Sequence, residues 1–269
     1  MSFFERLLRI FDYKMEVPGL FGWFHLMWIA LVILGSLGLC ALHKRKSSAV
    51  PGVLLITSVI VALLEVYKQI NYSFSYTDGI RFDFQWYAFP FQFCSTPMYV
   101  GLLAGIIRKG KFHDALCAYL ATFSVFAGVC VTVYPGDVFV DTLGINIQTM
   151  ICHGGMICLG VYLFYSGHVK PQWKTLFKAI PVFFACVLLA SVMNDIAHAS
   201  GLLERETFNM FFISPYCEPS LPVYSTVQQL MPFPWCLLVY VLAFTLAAGL
   251  MLLCAMGITA LTSKKKVTA

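Results

Sequence analysis

The amino-acid sequence predicts an all-α polytopic membrane protein: a seven-transmembrane-helix bundle preceded by a short N-terminal interfacial helix. Two features of the sequence carry this expectation. The 269-residue chain is 59% hydrophobic and 12% charged, with a mean hydropathy of +0.79, where a soluble domain carries about 25% charged residues. Its apolar residues also lie in long runs of about 20, the length that crosses the hydrocarbon core as a helix. These runs lack the alternation of barrel strands, and lipid admits only helices or closed barrels because backbone polar groups find no water there. A soluble globular enzyme, a disordered chain and a nucleic-acid binder are thereby excluded. The net charge of +5 reads as membrane topology, not as a nucleic-acid footprint.

Residues 1–20 are expected to hold the interfacial helix. Phe3, Phe4, Leu7, Leu8 and Phe11 fall on one helical face, with Glu5, Arg6 and Arg9 elsewhere. The segment lacks the basic start, apolar centre and small-residue cleavage site of a signal peptide, so the first span is expected to stay uncleaved. Seven spans follow within one integral membrane domain, at 23–42, 50–72, 86–107, 115–134, 147–167, 176–198 and 234–261, and residues 262–269 form a tail. The loops after spans one, three, five and seven carry Lys44, Arg45, Lys46; Arg108, Lys109, Lys111; Lys170, Lys174, Lys178; and Lys264, Lys265, Lys266. Only Lys68, Arg81, Arg205 and the N-terminal Arg6, Arg9 and Lys14 belong to the other side. The positive-inside rule then puts the C-terminus in the cytoplasm and the N-terminus outside. The acidic loop residues Asp78, Asp83, Asp137, Asp141, Glu204, Glu206 and Glu218 gather outside. No internal repeat supports a two-fold transporter architecture.

Polar groups inside spans are costly, so each is a functional candidate by default. Glu65 and Lys68 lie three apart near the outer end of span two, with Gln69 and Tyr72 extending their face. Cys94 lies eight residues into span three, about 12 Å down a continuous helix, and His153 six residues into span five, about 9 Å down. Ser191, Asn194 and His198 share a face at the outer end of span six. These groups, from four helices, converge on one depth in the outer half of the bundle.

A thiol and an imidazole at matched depth point to a Cys–His nucleophile pair, in which Cys94 attacks an acyl carbonyl and His153 takes its proton. Pro90 and Pro97 bracket Cys94 and lack N–H groups; the N–H groups of Ser95 and Thr96 are candidate oxyanion donors. Gly154 and Gly155 allow a backbone or acyl chain to approach the imidazole. Gln92, Asn194, Asn209, Glu65 and Lys68 are the candidate substrate-binding residues. Each also has a structural reading: Cys94 as an inert buried thiol, His153 as a structural hydrogen-bonding histidine, Glu65–Lys68 as a charge pair holding helices, Asn194 and Asn209 as helix glue or loop caps. His25, His43, His113 and His168 lie near span ends and are expected to face the interface. Of the ten cysteines, eight sit in apolar runs as small hydrophobes, and Cys217 lies in a polar loop. No CxxC pair is present, so no zinc site is expected. HExxH, GxSxG and Gly-rich phosphate motifs are missing, and span seven has no central lysine for retinal.

Four blocks in order are similar to the signature of the YwaF-type integral membrane family: Phe89-Pro90-Phe91-Gln92-Phe93-Cys94-Ser95; His153-Gly154; Asn209 through Pro215, with Pro219 and Pro222; and Pro232-Phe233-Pro234-Trp235. The resemblance runs from about Glu65 onward. It extends to a mammalian transmembrane cysteine acyltransferase of phospholipids. It implies that Cys94 accepts an acyl chain as a thioester, that His153 is its base, and that the partner is a membrane phospholipid or other acyl lipid, with no metal or soluble cofactor. Many relatives have His where this chain has Gln92. A bacterial plasma membrane is the expected location. A lipid hydrolase using the same pair, and a non-enzymatic transporter or sensor of a small lipophile, stand as alternatives; oligomeric state is left open.

Overall fold

The computed structural model describes residues 2–45, 49–76, 79–136, 138–201, 207–218 and 221–267. Lys46, Asp78, Asp137, Glu204, Arg205, Glu206 and Pro219 lie outside the described residues, as do the side chains of Pro222, Lys264, Lys265 and Lys266.

The helices are α1 (Phe3–Phe11), α2 (Trp23–Arg45), α3 (Val50–Ser73), α4 (Thr96–Ile107), α5 (Lys111–Ala121), α6 (Phe123–Val133), α7 (Leu143–Tyr165), α8 (Trp173–Ala199), α9 (Pro222–Leu230) and α10 (Phe233–Val267). Among the described residues six helical stretches are long and apolar enough to cross a bilayer: Trp23–Arg45, Val50–Ser73, Lys111–Val133, Leu143–Tyr165, Trp173–Ala199 and Phe233–Thr262, with Thr96–Ile107 as a shorter apolar helix. The chain is an all-α polytopic membrane protein. Its outer faces carry Leu34, Leu37, Leu63, Phe177, Leu246 and Leu250 largely exposed, a surface suited to lipid tails rather than water.

Several expected elements take a different form. Helix α1 ends at Phe11, and residues 12–22 run irregularly, with Lys14 in an antiparallel bridge to Thr142; Pro18, Gly19 and Gly22 disfavour helix there. The fourth span bends at Thr122 (φ −125°, ψ −78°). The third, expected as a helix over 86–107, is helical only from Thr96, so Cys94 precedes the helix instead of lying partway down it. Two prolines explain this. Phe89, before Pro90, is extended (φ −49°, ψ 135°), as the ring of a following proline demands, and Pro97 occupies the first turn of α4, where its missing N–H is no loss. A 3₁₀ turn, Trp86–Ala88, and a tight turn through Cys94 cover the rest of the distance.

The alternation of sides survives this break. At one end Lys14 donates to Asp141 (3.1 Å), and the Tyr76 hydroxyl donates to Asp12 (2.6 Å), joining the N-terminal segment to the loops after α3 and α6. At the other end Lys178, near the start of α8, pairs with Asp114 in the first turn of α5 (2.8 Å). The core is aromatic: Phe183 stacks on Phe123 (4.4 Å) and Phe244 (5.8 Å), and Phe244 stacks on Tyr240 (4.3 Å).

Helix contact here depends on small residues, as in other membrane bundles. A Cβ added at Gly128 would lie 2.6 Å from the His153 carbonyl oxygen, so the crossing of α6 and α7 needs glycine. Gly128→Ala is therefore expected to destabilise the bundle by about 1–3 kcal/mol, read as a lowered thermal midpoint in detergent. Gly38→Ala, with nothing within 4 Å of the new Cβ, is expected to be neutral or mildly stabilising, since alanine is the better helix former by about 1 kcal/mol.

Docking of α1 has a pH signature. Burial works against ionisation of Asp12, but hydrogen bonds from Tyr76 and Lys14 and the Lys14 charge outweigh it and hold its carboxyl below the ordinary aspartate value. A depressed carboxyl stabilises the folded state above its unfolded pKa and loses that contribution as pH falls through the folded one. Protease accessibility of the N-terminal segment is thus expected to rise as pH drops below about 4, and Asp12→Asn should remove that pH step.

Candidate active site

The residues around Cys94 alternate in direction. Phe91 and Phe93 both pack on Phe211 (ring centroids 5.9 and 5.7 Å), and Phe93 also meets Phe183 and Phe244 (5.6 and 5.1 Å). Gln92 and Cys94 instead line a cavity of about 400 Å³. Aromatic anchoring on one side thus presents the half-buried thiol on the other. The Thr96 hydroxyl contacts the Tyr119 hydroxyl at 2.6 Å and donates to the Phe93 carbonyl at 2.9 Å, fixing the turn from below.

The same cavity is lined by Glu65, Lys68, Tyr72, Tyr87, Ser95, Gln148, Thr149, Cys152, His153 and Asn209. The structure therefore gathers six of the sequence-predicted residues: Glu65, Lys68, Gln92, Cys94, His153 and Asn209. The seventh, Asn194, is elsewhere. It is fully buried, its amide donates to the Met210 carbonyl (3.1 Å), and its carbonyl accepts the Met210 N–H (2.8 Å). Asn194 positions the loop; it does not line the cavity.

Gln92 holds that same loop from the other side. Its amide donates to the Asn209 carbonyl (3.0 Å), and its side-chain oxygen accepts the Phe211 N–H (2.9 Å). Tyr240 donates to the Phe211 carbonyl (3.0 Å), and the Asn209 side chain accepts the Ser214 N–H (2.9 Å). The turn Met210–Phe212 contains two consecutive phenylalanines in the left-handed region, Phe211 (φ 59°) and Phe212 (φ 58°). Such a backbone costs about 1–3 kcal/mol per residue and persists where its surroundings over-determine it; here α8, α10 and the turn ahead of α4 do.

His153 is buried, 7% exposed. Its Nδ1 lies 2.8 Å from the Thr149 carbonyl oxygen. A carbonyl only accepts, so Nδ1 carries the proton and Nε2 keeps its lone pair. The ring is thereby preset as a base. Gly154, its neighbour, meets Val32 of α2 where a Cβ would stand, so its small size serves packing of α2 on α7.

Glu65 and Lys68 form a 2.6 Å ion pair with side chains only 7% and 16% exposed. Gln69 ties Glu65 (3.0 Å) to the Ala88 carbonyl (2.7 Å), binding α3 to the turn ahead of Cys94. One expected feature does not hold. The N–H groups of Ser95 and Thr96 both donate to the Gln92 carbonyl (2.9 and 3.2 Å), closing the turn that replaces a helix, so they are committed and do not await an oxyanion.

Cys152 is the residue that sequence reasoning passed over. It lines the cavity as a second thiol and accepts a hydrogen bond from Gln148 Nε2 (3.3 Å). Gln148, Thr149, Cys152 and His153 form a polar stripe at helical spacing on α7, a signal present in the sequence. His25 and His113 are also buried instead of facing an interface; His25 accepts the Phe21 N–H (3.0 Å) and donates to the Thr132 carbonyl (2.8 Å).

Asn194→Ala is expected to destabilise the protein by about 2–6 kcal/mol, because two buried backbone groups of Met210 lose partners, each worth about 1–3 kcal/mol. Increased protease cleavage within residues 207–218 at unchanged helix content would register it. Asn194→Asp keeps an acceptor for the Met210 N–H and should fall between alanine and the parent.

A family model described as the TMEM164 family matches residues 20–252, which take in the whole cavity and leave out α1, most of the segment after it and the end of α10. No curated protein and no solved structure matches the chain. The chain belongs to the TMEM164 family, that of the mammalian transmembrane cysteine acyltransferase-like proteins.

Proposed function

We propose that the protein moves a fatty acyl chain between membrane lipids through a thioester on Cys94, with His153 as general base. The observation that carries this reading is that a thiol and an imidazole whose Nδ1 is tied to the Thr149 carbonyl, leaving Nε2 as the accepting nitrogen, line one cavity. In the first half-reaction His153 Nε2 takes the thiol proton and the thiolate attacks an ester carbonyl. The ester oxygen leaves with the proton from the imidazolium, and the acyl group stays on sulfur. In the second, His153 takes the proton of an acceptor hydroxyl, whose oxygen attacks the thioester and releases the thiolate, which is reprotonated. A base in this role contributes about 10²–10⁴-fold.

Lys68 spends one donor on Glu65 and keeps others for a lipid phosphate or a developing oxyanion. Gln92, Asn194 and Asn209 act through the loop they hold, more than by touching substrate. A small side pocket of about 20 Å³, lined by Thr57, Ser58, Pro97, Ser124 and Met156, shares Cys94 and Cys152 with the main cavity. The cavity end is the extracytoplasmic one, because the basic loops lie at the other. The acyl donor is then a phospholipid and not a cytoplasmic acyl thioester.

Incubation of the purified protein with phospholipid vesicles is expected to add one acyl mass, removed by hydroxylamine. The adduct should be absent in Cys94→Ala, kept in Cys152→Ala, and slowed by about 10²-fold or more in His153→Ala. An adduct that follows Cys152, or full turnover in Cys94→Ala, would overturn the assignment. Free fatty acid as the sole product would make the protein a hydrolase.

A further inference from the structure

At the opposite end of the bundle lies a second chemically distinctive cluster. His113 and Cys117 stand one turn apart on α5, and His168 sits in the turn after α7. The two Nε2 atoms of the histidines are 2.7 Å apart, and the Cys117 sulfur lies 3.5 Å from His113 Nε2. His113 and Cys117 are each 1% exposed, while His168 is exposed. His113 Nδ1 is 2.9 Å from the Ala104 carbonyl oxygen. As a carbonyl accepts only, Nδ1 donates, and the Nε2 lone pair points at His168 and Cys117. A backbone carbonyl orienting a histidine through its far nitrogen is the usual outer partner of a metal-bound imidazole.

We propose that His113, Cys117 and His168 form a site for a divalent transition metal of the zinc class. The donor set decides the class: two imidazoles and a thiolate suit zinc, whereas magnesium and calcium take oxygen. Ligand nitrogens and sulfur around a tetrahedral zinc lie roughly 3.3–3.6 Å apart. The His113–Cys117 separation already matches. The histidine pair opens by about 0.6 Å to admit the ion, a movement that falls on His168, exposed on a turn at Gly167 (φ 72°). In the metal-free form the proton between the two rings belongs to His168. On binding, His168 carries its proton on Nδ1 instead, the thiol releases one proton, and water takes the fourth position. The ion clips α5 to the turn joining α7 and α8, beside the Lys178–Asp114 pair. The absence of CxxC did not exclude such a site, because a His-x₃-Cys pair on a helix supplies two ligands on one face.

The test uses tag-free, chelator-stripped protein in detergent, titrated with Co²⁺ and then Zn²⁺. One Co²⁺ per chain is expected, with thiolate-to-cobalt charge-transfer absorption and tetrahedral bands that Zn²⁺ bleaches. Cys117→Ser should lose the charge-transfer band. His168→Ala, a change at an exposed residue that leaves the fold intact, should weaken binding by about tenfold or more and abolish the rise in thermal midpoint that Zn²⁺ gives the parent. Cys94→Ala should bind as the parent does, which separates this site from the acyl-transfer reading. No stoichiometric cobalt binding, or a spectrum unchanged in Cys117→Ser, would overturn the proposal.

Discussion

The architecture around the cavity depends on one constraint: the backbone of Asn209–Ile213 must be satisfied by side chains from two helices, α8 and α10, and from the turn ahead of α4. Gln92, Asn194 and Tyr240 each reach this turn, and between them they bond the carbonyls of residues 209, 210 and 211 and the N–H groups of residues 210 and 211. In a bundle interior a bare amide group costs several kcal/mol, so these bonds are obligatory. They also fix two phenylalanines in a left-handed conformation that pushes Phe211 against Phe91 and Phe93. The loop, the broken third segment and the aromatic core are thus a single unit, and the position of the Cys94 sulfur follows from it.

Composition and run length made the membrane class and most of the spans readable from the sequence, because hydrophobic length is a direct physical requirement of the bilayer. The third segment was misread as a continuous helix for an equally physical reason. Hydropathy measures apolarity, and the run through Phe89, Phe91 and Phe93 is apolar whether or not it is helical. Pro90 and Pro97 held the information, since a proline pair seven residues apart leaves little room for an intact hydrogen-bond ladder. Likewise depth along spans gathered Glu65, Lys68, Cys94 and His153 correctly, although the 12 Å reckoning for Cys94 assumed a helix that is not there.

Side-chain direction was the part that the sequence hid. Asn194 shares the depth of the cavity yet points at a loop 16 residues away in sequence, and Cys152 neighbours His153 yet was counted among inert thiols. Depth is one coordinate; azimuth around the helix is another, and it needs the packing. The histidines show the same division. His25, His113 and His153 each donate one ring nitrogen to a backbone carbonyl, which settles their tautomers. The second nitrogen is what differs: for His25 it is spent on the Phe21 N–H, for His153 it belongs to a ring lining the cavity, and for His113 it faces other donor atoms.

Helix α4 has twelve residues, about 18 Å of rise against roughly 30 Å of hydrocarbon. The rest of this crossing is made by chain that is not α-helical, and its freed carbonyls are taken by side chains: that of Ala88 by Gln69, that of Pro90 by Tyr99 and that of Phe93 by Thr96.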